Sequence, residues 1–206
     1  MIRSSTLLTA VLTAPLLIAG CATDYKPKIE GKATARVRFI TEHPSTTQGI
    51  EATFVSVAKN HCRAANSSDI SGNYYQRLAI LTGNASLGTP LFAMQQPAGA
   101  MVRQGMPGEA PTNGTLYSES RVPAGESFPL NMSTTYRASL TRVASCTVAG
   151  SFTPEPDTDY QAIYQQVGMY GCAVRLSKYA VGGALLTRPV PVEMTPLPVC
   201  APASGQ

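Results

Sequence analysis

Short runs in which apolar and polar residues alternate, each closed by glycine or proline, constrain this chain more than any other feature. In KATARVRFI (32–40), Ala33, Ala35, Val37 and Phe39 fall on one side and Lys32, Thr34, Arg36 and Arg38 on the other. That is the period of a half-buried strand. EATFVSV (51–57) is rich in β-branched and aromatic residues, and YYQRLAILT (74–82), FPLNMS (128–133) and YRASLTRV (136–143) are further strand candidates. YQAIYQQV (160–167) and CAVRLSKY (172–179) form the clearest hairpin, closed by GMYG (168–171), and a last strand is expected around Leu185. PAGE (123–126) and PEPDTD (154–159) read as turns. With 17 glycines and 16 prolines dividing the runs, the chain is expected to be all-β. About seven or eight short strands imply a single antiparallel β-sandwich over 32–206, ending in a Pro-rich tail.

The first residues follow another logic. Arg3 precedes an apolar stretch from Leu7 to Ala19, which stops at Cys21. That run matches a signal-peptide core and falls short of the roughly 20 apolar residues that span a bilayer. Pro15 inside it opposes a stable spanning helix. The end of the run, LLIAGC, resembles the lipobox of bacterial lipoproteins: Ile18 at the aliphatic position, Ala19 and Gly20 as the small pair, and Cys21 as the lipidated residue. The resemblance implies cleavage after Gly20, a diacylglyceryl group on Cys21 and an acylated new amino terminus. Residues 1–20 would then be a signal peptide and 21–31 a lipidated, solvated tether. Two or more acyl chains give stable anchoring where one is marginal. Ala22 stands where family members kept at the inner membrane often carry Asp, so the resemblance implies the outer membrane, facing the periplasm.

Once Cys21 is set aside, Cys62, Cys146, Cys172 and Cys200 remain. An even number in an exported chain points to disulfides. Of the alternatives, Cys146–Cys172 would tie neighbouring strands and Cys62–Cys200 would pin the tail. With no CxxC pair and only His43 and His61, zinc spacing is absent, and no metal or cofactor is expected. The formal charge of +4 is spread among acids, so no basic stripe suggests nucleic acid. Lys26, Lys28 and Lys32 lie where they can meet anionic headgroups.

Catalytic motifs such as GxSxG, HExxH and the P-loop do not occur. NSSD (66–69) beside His61 is a loop of turn formers, and local clustering is weak support for a Ser–His–Asp site. Glu155, Asp157 and Asp159 share one acidic turn that lacks the glycine-centred loop of an EF-hand. The stretch Gln95–Gly114 is longer than a routine connection and carries Met101 and Met106. With Tyr170 of the hairpin loop, these methionines are the candidate partner contacts. Tyr160 and Tyr164 are expected in the core.

PAGESF, SFTPEPDTDY and CAVRL resemble the closing half of small envelope β-sandwich lipoproteins. Lipoproteins of type VI secretion machines are similar in general plan, a lipidated cysteine followed by a sandwich. These resemblances imply a non-enzymatic adaptor or structural component, bound to membrane lipid through Cys21 and to an envelope protein. The competing readings are an envelope hydrolase or inhibitor, with a cleft around His61, and a small-ligand carrier, with an apolar cavity between the sheets.

Overall fold

The computed structural model describes residues 24–26, 29–42, 50–66, 72–82, 106, 116–137, 143–168, 171–179 and 189–201. Met101, Tyr170, Cys21, His43, Lys28 and the strand expected around Leu185 lie outside them.

The described chain is all-β. Its strands are β1 (Thr34–Glu42), β2 (Ile50–Ala58), β3 (Tyr75–Thr82), β4 (Leu116–Pro123), β5 (Phe128–Arg137), β6 (Val143–Phe152), β7 (Asp159–Val167), β8 (Gly171–Tyr179), β9 (Val190–Val192) and β10 (Thr195–Pro196). They make two packed sheets, ordered β4-β1-β7-β8-β9 and β10-β6-β5-β2-β3. The alternation read in KATARVRFI decides how β1 sits: Ala35, Val37 and Phe39 are almost fully buried between the sheets. Val55 and Val57 of β2, Leu130 and Met132 of β5, and Ala162 and Leu176 of the hairpin meet them there. Tyr160 and Tyr164 are 1% and 0% exposed, so both belong to the core. A burial of this kind is worth about 1.5–3 kcal/mol per large side chain.

Several expectations are corrected. The sandwich is not antiparallel throughout, because β1 pairs with β7 in parallel, Val37 opposite Tyr160 and Phe39 opposite Ala162. Parallel neighbours need a long connection, and everything from β2 to β6 lies between these two. YRASLTRV is not one strand: Tyr136 and Arg137 end β5, and Val143 begins β6. LYSESRVP, unread as a strand, forms β4. Its alternation runs through Ser and charged residues, which hides the pattern that apolar residues display.

Both bridges are the pairs favoured from sequence, Cys62–Cys200 and Cys146–Cys172. Their geometry differs from expectation in one respect. Cys146 is on β6 and Cys172 on β8, so this bridge joins opposite sheets rather than neighbouring strands. The other bridge holds the tail, whose Leu197 packs with Ala58, Ala64 and Tyr75 in a second small core on the outer face of the β6-β5-β2-β3 sheet. Arg63 binds the tail through backbone hydrogen bonds with Pro198 and Cys200 at 2.8 Å each.

Candidate functional site

The strands give the sandwich two unlike ends. At one, the short turn 124–127 joins β4 to β5, the turn 153–158 joins β6 to β7, and the connections 59–74 and 180–189 join β2 to β3 and β8 to β9. The Gly125 N–H donates to the Pro154 carbonyl at 2.8 Å and ties the two turns together. At the other end, Glu42, Ile50, Thr82, Leu116, Arg137, Val143, Val167 and Gly171 begin or end their strands. Cys146–Cys172 fixes this second end of both sheets side by side. The connections 43–49, 83–115, 138–142 and 168–170 therefore all leave from it, and Gly168 accepts a φ of +63° at the start of the last.

Two residues of the expected tether, Asp24 and Tyr25, belong to the fold. Asp24 accepts from Arg77 Nε at 2.8 Å and lies 2.6 Å from its Nη2. The Tyr25 N–H donates to the Arg77 carbonyl at 2.6 Å, so Asp24 and Tyr25 add a parallel bridge to the edge of β3. The Tyr25 ring stands edge-on to Phe128 with centroids 6.3 Å apart. Burial, and secondarily the charge of Glu126, raises the Tyr25 pKa. The reading of 21–31 as a solvated tether is thus corrected at these two residues. Lys32, expected to be available to headgroups, is 3.3 Å from Glu126.

On the outer face of the β4-β1-β7-β8 strands lies a cluster that sequence reasoning missed. Arg38 and Glu119, opposite each other on β1 and β4, have side chains 4% and 2% exposed and approach to 2.7 Å. Arg38 Nη2 also donates to the Met106 carbonyl at 3.1 Å, and the Met106 N–H donates to Glu119 Oε2 at 3.5 Å. The guanidinium lies 5.7 Å from the Tyr117 ring centroid. Beside this cluster Tyr179 donates to Gln161 Oε1 at 2.7 Å, and burial raises the Tyr179 pKa. Met106, a candidate partner contact, is 6% exposed: it packs over a buried ion pair rather than presenting its side chain. LYSESRVP shows no clear apolar–polar alternation and gives Glu119 no face, whereas alternation in KATARVRFI assigns Arg38 to the polar face of β1. That pattern carries no signal that this face is covered.

A groove of about 750 Å³ opens along the side of the sandwich beneath the tail, lined by Val148, Val174, Leu176, Val192 and Met194 among others. Gly150 admits Met194, since a Cβ there would lie 2.9 Å from its methyl carbon. The space between the sheets is filled by Phe39, Met132, Tyr160 and Tyr164.

The acidic turn does not converge. Asp159 takes both hydrogen bonds of the Arg36 fork at 2.7 and 2.8 Å, which raises the Arg36 pKa. Glu155 accepts from Lys178, whose pKa rises for that reason, and Asp157 is exposed at a φ of +52°. Among the described residues no group of three or more His, Cys, Asp or Glu side chains is arranged to hold a metal. His61 is exposed in a 3-10 turn, Lys59–His61, and Ser67, Ser68 and Asp69 lie outside the described residues. Among the described residues no helix is long and apolar enough to cross a membrane. No family model, no curated protein and no solved structure matches the chain.

Proposed function

We propose that this chain is a lipid-anchored envelope protein, held to the outer membrane through acylated Cys21 and acting as a non-enzymatic adaptor. LLIAGC after a short apolar run supports the anchor. One structural observation carries the adaptor reading. The chain joins the fold at Asp24 on β3, whereas four connections, 83–115 among them, leave from the opposite end. A rigid β scaffold that holds several connections together at one end suits recognition. Anchoring concentrates such a surface near its envelope partners.

Metabolic lipid labelling tests the anchor: Cys21→Ser with the leader kept should abolish labelling and membrane association, and unchanged labelling refutes it. Crosslinked pull-downs test the binding surface. Because Arg38 and Glu119 hold Met106, the variant should replace 95–104 and 108–114 with Gly/Ser residues and keep Met106. Partner yield should fall while the protein still folds and reaches the membrane. Retention of every partner at wild-type yield places the binding surface elsewhere. Hydrolysis of an envelope substrate that His61→Ala abolishes without unfolding would replace the adaptor reading with the enzymatic one. The groove beneath the tail favours a second reading, a small apolar ligand bound at the side of the sandwich.

A further inference from the structure

We propose that the turn end of the sandwich is seated directly on the lipid surface, its orientation fixed by the docked chain at Asp24 and Tyr25. This rests on the reading of Cys21 as the lipidated residue. A free tether from Cys21 to the first strand would let the domain wander: a dozen flexible residues spread over about 20 Å root-mean-square. The observed docking removes that slack. Asp24 is tied to Arg77 by the ion pair, Tyr25 by a main-chain hydrogen bond to the same residue, and the Tyr25 ring by Phe128. Three peptide units separate Cys21 from Asp24. Even fully extended they reach only about 10–11 Å.

The direction of the chain supplies the orientation. Asp24–Tyr25 runs parallel to β3, and β3 runs from the turn end toward the loop end. The polypeptide at Asp24 therefore points back toward the turn end, where Lys26, Lys32 and the turns 124–127 and 153–158 lie. The loop end stands one strand length away. β1, β2, β7 and β8 are each 9 residues long. Nine residues of strand span about 30 Å.

Charge is not what seats this surface. Lys32 pairs with Glu126, Lys178 with Glu155 and Arg77 with Asp24, so three of the cations at this end are answered by acids. Attraction to anionic headgroups acts over about a Debye length and weakens with salt. A seat imposed by a short covalent reach is insensitive to both salt and headgroup charge.

The absence of tryptophan from the chain makes single-tryptophan reporters clean. The full lipidated protein, reconstituted in phosphatidylcholine vesicles doped with a dansyl-headgroup lipid, would carry Ser127→Trp at the turn end or Val167→Trp at the loop end. Both native residues are exposed. Lys26→Trp serves as a second turn-end reporter should Ser127→Trp fold poorly. Energy transfer is expected from the turn-end reporters and is expected to vanish at Val167→Trp. The difference should persist at high salt and be lost when ten Gly/Ser residues are inserted between Thr23 and Asp24, a spacer of about 17 Å. Equal transfer from both ends in protein that floats with the vesicles overturns the seat and leaves the anchor standing. Transfer that collapses at high salt overturns the reach argument in favour of charge. Protein that fails to float overturns both seat and anchor.

Discussion

Breaking the ion pair between Arg38 and Glu119 should cost far more than an ordinary surface pair. Both side chains are at most 4% exposed, and they share two hydrogen bonds with the Met106 backbone. Exposed pairs contribute about 0–1 kcal/mol. Removing one member of a buried pair strands the other charge and typically costs about 3–5 kcal/mol. Glu119→Gln is the sharpest perturbation, because it keeps shape and an oxygen for the Met106 N–H while leaving the guanidinium uncompensated. With a urea m-value of about 2 kcal/mol/M, the unfolding midpoint should fall by about 1.5–2.5 M. Arg38→Met combined with Glu119→Leu removes both charges, and its stability should return to within about 1.5 kcal/mol of wild type or exceed it. Equilibrium urea unfolding of the disulfide-intact protein, followed by circular dichroism, measures all three. If Glu119→Gln unfolds within about 0.5 kcal/mol of wild type, the pair is in contact with water and the argument from burial fails.

Loss of the Cys62–Cys200 bridge, whose sequence separation is 138, should destabilise more than loss of Cys146–Cys172, separated by 26. Loop-closure entropy gives about 5 and about 3.5 kcal/mol respectively, and paired Cys→Ser variants in thermal or urea unfolding would show whether that order is reversed. Tyr164→Phe removes the hydroxyl that lies 2.7 Å from Thr134 Oγ1 and donates to the Cys146 carbonyl at 3.2 Å. It should cost about 1–3 kcal/mol in the same assay, and a neutral result would mean that Thr134 finds another partner. Burial raises the pKa of Tyr25, Tyr160 and Tyr179 from the ordinary value of 10.0. The folded protein therefore holds these protons after the unfolded chain has lost them. Their contribution is complete below about pH 10 and declines as pH rises through the folded pKa values. Midpoints at about pH 8 and about pH 11 should differ in wild type, and the difference should shrink in Tyr160→Phe; an equal drop in both would assign the alkaline loss to other groups.

Much of this molecule was legible in the order of its residues. Alternation placed Ala35, Val37 and Phe39 on the buried side of β1, because successive side chains of a strand must point to opposite faces. The YQAIYQQV–CAVRLSKY hairpin was equally readable, since its pairing is local and its loop carries glycines. The same alternation put Arg38 on a polar face, yet only the tertiary structure brought Glu119 of the unread β4 against it, covered that face and made their charges a buried pair. Periodicity distinguishes two sides of a strand, but what packs on each is decided by distant chain. The parallel partnership of β1 with β7 and the inter-sheet bridge Cys146–Cys172 likewise join segments whose meeting no local pattern encodes. The docking of Asp24 and Tyr25 on β3 is of the same kind: ATDYKPKIEG reads as a solvated tether on composition alone, and Arg77 and Phe128 turned these two of its residues into part of the fold.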